Sequence, residues 1–169
     1  MNVKIYTSKN EIPTEALILP GTGFVLPDLQ MGWRFDFSKH SKGKDTFTYV
    51  LVTKSDKVRI QGCLIYKMRN KKEPYMAYLE VAPHNKGNNK EFKDVAGCLI
   101  AFACRLSFKL GESYFKGWLA FDVLEANKED EIKLMTLYSN KYGAKKFGET
   151  TMLIEPSEGE KLIEKYLNK

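Results

Sequence analysis

The sequence predicts one α/β (α+β) domain, a mixed sheet with helices on its faces. Two observations carry that expectation. Between residues 46 and 81, three β-branched and aromatic runs follow one another across short polar turns, the pattern of antiparallel hairpins. Two long segments of helical character come next, each followed by a further strand, the pattern of crossover connections. The 169 residues suffice for one domain, and 43% hydrophobic with 12% aromatic residues supports a core and excludes a disordered chain.

The elements read in order. Val3 to Thr7 is a first strand. The rest of residues 1–45 reads as irregular, punctuated by Pro13, Pro20, Gly21, Gly23 and Pro27, with a short helix over Thr14 to Leu19. Trp33, Phe35 and Phe37 alternate with Arg34 and Asp36, which predicts a strand or an extended lid with one aromatic face. Thr46 to Thr53, Val58 to Met68 and Tyr75 to Val81 are strands, the last stopped by Pro83 and followed by a polar loop from His84 to Lys93. Asp94 is the expected N-cap of a helix to Leu110, with an apolar stripe of Val95, Leu99, Phe102 and Leu106. Trp118 to Leu124 is a strand, and Lys128 to Tyr142 a helix closed by Gly143. Lys145 to Phe147 and Thr151 to Ile154 form a final strand pair. Ser157 and Glu160 predict a capping box for a C-terminal helix over 157–169, whose Ile163, Tyr166 and Leu167 pack on the sheet.

The charge is uneven. Residues 39–93 hold 13 Lys/Arg against 5 Asp/Glu, whereas residues 122–169 hold 8 against 10. A basic middle suits an anionic ligand such as a nucleotide cofactor's phosphates, or a nucleic acid, as well as plain solvated loops. Cys63, Cys98 and Cys104 are odd in number, lie in apolar stretches and lack C-x-x-C spacing, so buried free thiols are expected, without a disulfide framework or metal site. No run approaches the ~20 apolar residues of a membrane span, and the N-terminus lacks a signal-peptide core, so a soluble, cytoplasmic protein is expected.

One stretch carries chemistry. The strand ending Tyr78-Leu79-Glu80-Val81 runs into Ala82-Pro83-His84-Asn85-Lys86-Gly87 and then into a helix start. A Gly- and Lys-containing loop before a helix aims backbone N–H groups and the helix dipole at one place, which favours a phosphate. Leu79-Glu80-Val81-Ala82-Pro83, Asn85-Lys86-Gly87, Val95-Ala96-Gly97-Cys98-Leu99-Ile100, Val123 with Asn127, Tyr138 with Gly143 and the closing Gly148 to Pro156 together resemble the GNAT superfamily of N-acetyltransferases over residues 46–156. The resemblance implies a mixed, mostly antiparallel sheet with helices on both faces, in one 1–169 domain. It implies an acetyl-CoA-binding core over 46–156 and acetyl transfer from acetyl-CoA to a primary amine of a small molecule, protein or peptide by direct attack.

The roles it implies fall on named residues. Tyr138 is the candidate general acid, and Glu80 and His84 are the candidate bases. The candidate cofactor contacts are the Val81 backbone, Lys86 and Gly87 in the loop, Val95 and Ala96 at the helix start, and Asn127 on the pantetheine. Lys90 and Lys93 are further phosphate partners, and His40 in its Lys-rich run is expected to be solvated. Glu80 also reads as a structural carboxylate, His84 as an exposed loop histidine, Tyr138 as a core aromatic and Asn127 as a helix N-cap. The aromatic residues 33, 35 and 37 read either as core or as the lining of an acceptor pocket. The family is often dimeric, and the sequence leaves the oligomeric state open, a homodimer included; a membrane partner is not expected, nor is a nucleic acid.

The chain departs from the family pattern by the extra loop residues Asn88 to Asp94, and Tyr138 stands five residues before Gly143, one more than the family spacing. One residue rotates a side chain by ~100° around a helix, and a carboxylate at Asp94 disfavours a pyrophosphate. Two alternatives therefore stand beside the enzyme: a catalytically silent GNAT-like binding or regulatory module, and an acyltransferase acting on an RNA-linked amine.

Overall fold

The computed structural model describes residues 1–168. Its first hairpin joins β1 (Asn2–Thr7) to β2 (Pro13–Pro20). A single helical turn, α1 (Phe37–His40), precedes the antiparallel strands β3 (Thr46–Thr53), β4 (Ile60–Arg69) and β5 (Glu73–Val81). A two-residue strand β6 (Phe92–Lys93) leads into α2 (Val95–Leu110) and β7 (Leu119–Asp122). The chain ends with α3 (Lys128–Tyr142), a second two-residue strand β8 (Lys145–Lys146), β9 (Thr151–Ile154) and α4 (Pro156–Leu167).

The strands make one sheet in the order β6-β1-β2-β3-β4-β5-β7-β9-β8. Every neighbouring pair is antiparallel except β5 and β7, which are parallel. The main core fills one face, where α2 buries Leu99, Ile100 and Cys104 and α3 adds Met135 and Tyr142. A smaller core on the other face packs Trp33 and Phe37 over Val50, Val52, Cys63 and Ile65. The mixed, mostly antiparallel sheet with helices on both faces is thus as expected.

Four local readings are corrected. Residues 14–19 belong to β2, because Ala16 and Ile18 point into the core and the backbone pairs on both sides, with β1 and β3; sheet hydrogen bonds outweigh weak helix propensity. The 33–37 stretch forms no strand; its aromatic residues still associate, with Trp33 and Phe35 both edge-on to Phe37. Asp94 stands at the N-cap position of α2 but has φ +67° and its side chain makes no capping bond. α4 begins at Pro156 behind Glu155, so Ser157 and Glu160 make no capping box; proline's fixed φ suits a first helical residue.

α4 lies on α2 and β1 rather than across the sheet. Gly97 makes that approach possible: a Cβ there would overlap the Tyr166 ring. Gly97→Ala is expected to destabilise the fold by about 1–3 kcal/mol through overpacking, despite alanine's better helix propensity. Urea denaturation checks this, and an unchanged midpoint would refute the close α2–α4 contact.

Candidate active site

Bulge and divergence. The β4–β5 ladder shifts between Ile65 and Tyr66, so that Ala77 has no partner on β4. A bulge bends its strand away from the flat sheet. On its other side β5 pairs with β7 only at Tyr75 and Ala120. Beyond that pair the two parallel strands separate, and a cavity of about 100 Å³ opens between them, lined by Tyr78, Leu79, Phe121, Val123, Leu134 and Tyr138. Asp122 marks the point of separation. Its carboxylate accepts hydrogen bonds from the hydroxyls of Tyr75 at 2.7 Å, Thr151 at 2.7 Å and Thr150 at 3.0 Å, which ties β5, β7 and the start of β9 together.

Tyr138 comes from the middle of α3. Its ring packs on Phe121 at 4.8 Å and borders the gap. Burial, with the Glu125 carboxylate adding to it, pushes its phenol up to about 12, so it is protonated at neutral pH. Asn127 caps α3: its Oδ1 accepts the Asp130 N–H at 2.9 Å and its amide donates to the Asp130 carboxylate at 2.7 Å. The tilt of α3 that brings Tyr138 to the gap therefore starts from a fixed N-terminus.

Glu80 is buried, 6% exposed, on the face opposite α2. Its carboxylate accepts the Arg34 N–H at 2.9 and 3.1 Å, the Phe35 N–H at 3.1 Å, and the ammonium of Lys86. It thereby fastens the 33–37 segment over β5. From there the Arg34 guanidinium reaches across the gap to the Glu125 carboxylate at 2.5 Å and the Leu124 carbonyl at 2.9 Å. The segment is a lid held at both strands that frame the gap.

The loop after β5 is built differently from the sequence expectation. Asn85 is buried; its amide donates to the Gln61 carbonyl and side chain, and its Oδ1 accepts the Phe92 N–H at 3.0 Å. The residues between form an excursion closed at its base, also held by the Arg59–Glu91 pair at 2.7 and 2.8 Å. Gly87 sits in it at φ +69° with open space around its Cα. His84 Nε2 lies 2.8 Å from Gln61 Oε1. Because that oxygen also accepts from Asn85, the His84 nitrogen is the donor. His84 lines a separate depression with Arg59, Pro27 and Trp33, away from Tyr138. Val95 is buried against Gly62, and what Val95 and Ala96 offer an anion is the N–H end of a 16-residue helix.

A second, larger cavity of about 420 Å³ lies on the lid side of the sheet and shares Phe35, Ala77, Tyr78, Asp122 and Leu124 with the gap. Of the three lid aromatics, Phe35 lines it, whereas Trp33 and Phe37 are core. His40 is not simply solvated: it is half-buried and stacked on Tyr78 at 4.2 Å. The site thus brings together Glu80, Lys86, Arg34, Asp122 and Tyr138 and leaves His84 apart. Arg34 and Asp122 were not singled out by the sequence; their roles depend on contacts 90 and 28 residues away along the chain. The three cysteines are buried, and no disulfide links them; no metal-binding cluster exists among the described residues.

Two outcomes follow. Glu80→Ala leaves two lid N–H groups and Lys86 without their acceptor, and is expected to cost about 2–4 kcal/mol of stability in urea denaturation. A purely proton-transferring Glu80 would leave stability untouched. Burial, with the nearby Arg59 charge and against Glu91, holds His84 below the usual histidine range. The unfolded chain then takes up this proton first, so stability is full above about pH 6.5 and is lost as pH falls below it. His84→Gln should flatten the dependence between pH 7.5 and 5.5.

No family model matches the chain, and no curated protein matches it. Solved structures do. AtaTR bound with AcCoA aligns at TM-score 0.58 and 16% identity, covering 88% of this chain and 98% of that one. Two mutant forms of the spermidine/spermine N-acetyltransferase SpeG from Vibrio cholerae align at 0.51 and 17%, covering 74% and 73%. A GNAT family acetyltransferase from Elizabethkingia anophelis with acetyl-CoA bound aligns at 0.51 and 11%, covering 83% and 97%. With its parallel pair β5–β7 parting into a gap bordered by Tyr138, the chain has the GNAT fold.

Proposed function

We propose that the protein is an acetyl-CoA-dependent N-acetyltransferase acting on a primary amine. The observation that carries this reading is the protonated Tyr138 phenol beside the gap between β5 and β7, in a fold whose solved neighbours include acetyl-CoA complexes. Acetyl-CoA would supply an activated thioester and a thiol leaving group. Its extended arm fits the gap edge of β5 around Leu79 and Val81, where β7 no longer pairs. Its phosphates fit the uncapped N–H groups at Val95 and Ala96 and the open backbone at Gly87, with Lys86 free to turn from Glu80 because it is 43% exposed.

The residues then divide the work. Around the Ala77 bulge the ladder with β4 is interrupted, and backbone N–H groups there would serve to polarise a carbonyl. Tyr138 donates a hydrogen bond where negative charge collects on the leaving sulfur. A phenol near 12 is a weaker acid than a thiol near ~8.5, so it stabilises that charge more than it surrenders its proton. Glu80 positions the lid, and Asn127 positions α3. His84 braces the loop.

The test is thermal unfolding with acetyl-CoA, using CoA and ATP as controls. Ligand at 100 times its dissociation constant adds about 2.7 kcal/mol, and the absence of any shift at millimolar concentration would sink the proposal. Tyr138→Phe is expected to lower amine-dependent CoA release by about 10²-fold, with acetyl-CoA affinity unchanged.

A further inference from the structure

The larger cavity has a chemistry that the donor side does not use. It is lined by Asp122 and by Phe35, His40, Tyr75 and Tyr78. All three groups bonded to the Asp122 carboxylate are neutral hydroxyls. Hydroxyls orient a carboxylate without cancelling its charge, and the nearby Arg69 guanidinium is engaged by Glu73 and the Tyr75 ring and makes no hydrogen bond to Asp122. Burial alone would raise this group, but the Thr151, Tyr75 and Thr150 hydroxyls and the Arg69 charge more than offset it and hold the carboxyl below its usual range. An anion bordered by aromatic faces is the environment that receives an alkylammonium, through a charge-assisted hydrogen bond and the ring quadrupole. Glu80 does not compete for that role, being occupied by the lid and Lys86, and Glu125 is held by Arg34. Asp122 also borders the gap, so a group bound to it stands where the two cavities meet.

The same cavity is also lined by a cation, Lys67, and by Gly43, which lies in the chain between Lys42 and Lys44; Lys39 on α1 lies four residues before it. All four lysines are exposed, and none is in an ion pair among the described residues. A second positive charge on an acceptor would meet these four; a negative one would gain from them.

The geometry points to an acceptor that is a monoamine carrying an anionic group, its ammonium on Asp122 and its anion at Lys67 and the lysines around Gly43, rather than a polyamine. This rests on the acetyl-transfer reading for the amine's fate, while its binding stands apart from it.

O-Phosphoethanolamine, ethanolamine and spermidine serve as probes, followed by NMR titration of the Thr150, Thr151 and Tyr78 amides, with acetyl-CoA binding measured separately. O-Phosphoethanolamine is expected to bind at least about tenfold more tightly than the other two, the loss of one charge-assisted hydrogen bond being worth about that much. Its advantage should shrink with salt. Asp122→Asn should weaken ethanolamine and O-phosphoethanolamine alike by about tenfold. Lys67→Gln should weaken only O-phosphoethanolamine, and it decides the matter if Asp122→Asn does not fold. Equal or weaker binding of O-phosphoethanolamine, tighter binding of spermidine, or no amide shifts at millimolar probe overturns the inference. Amine binding without acetyl-CoA binding overturns the acetyltransferase reading and leaves this one standing.

Discussion

A buried carboxylate holds the site together. Glu80 projects from β5 into the smaller core, where a lone charge would be strongly disfavoured. It is stable there because two lid N–H groups and an ammonium converge on it. The lid has no strand or helix of its own over residues 33–36, and it keeps its place because that charge must be satisfied. Through Arg34 the same anchor reaches Glu125 beyond the gap, so one buried charge sets the wall of one cavity and the rim of the other.

The second constraint is geometric. The Ala77 bulge and the single Tyr75–Ala120 pair let β5 and β7 part within a continuous sheet, and the Asp122 hydrogen bonds fix where they part. α3 places the Tyr138 ring at the opening. Separation of strands would ordinarily expose unpaired backbone; here it supplies an edge on which an extended ligand can form hydrogen bonds.

The sequence made the central part of this architecture legible. β3 to β5, α2 and α3 have patterns long enough to be read alone, and Gly143 closes α3 in the left-handed conformation that its position suggested. β2 is hidden from the sequence because its prolines mark the ends of a strand whose identity comes from partners on both sides. The lid aromatics were legible as a packed group but not as backbone, since Glu80 determines their path. Glu80, Lys86, Gly87 and Tyr138 could be picked out by local motif. Arg34 and Asp122 carry no local signature, and Asn85 gave no hint that it would be a buried staple, because its partner Gln61 lies 24 residues earlier. His84 shows the limit in the other direction: next to a promising loop in sequence, it faces a different surface.

The sheet ends in two very short strands. β6 contributes Lys93, which is paired with Glu11, and β8 is Lys145 and Lys146, both exposed. A free sheet edge is a template for another chain when it is long, flat and apolar. The terminal strands are two residues long, and Lys93 and Lys145 in them are held by Glu11 and Glu155, so each brings a fixed ion pair and little backbone to its end of the sheet. Short, charge-bearing terminal strands are poor templates for a further strand.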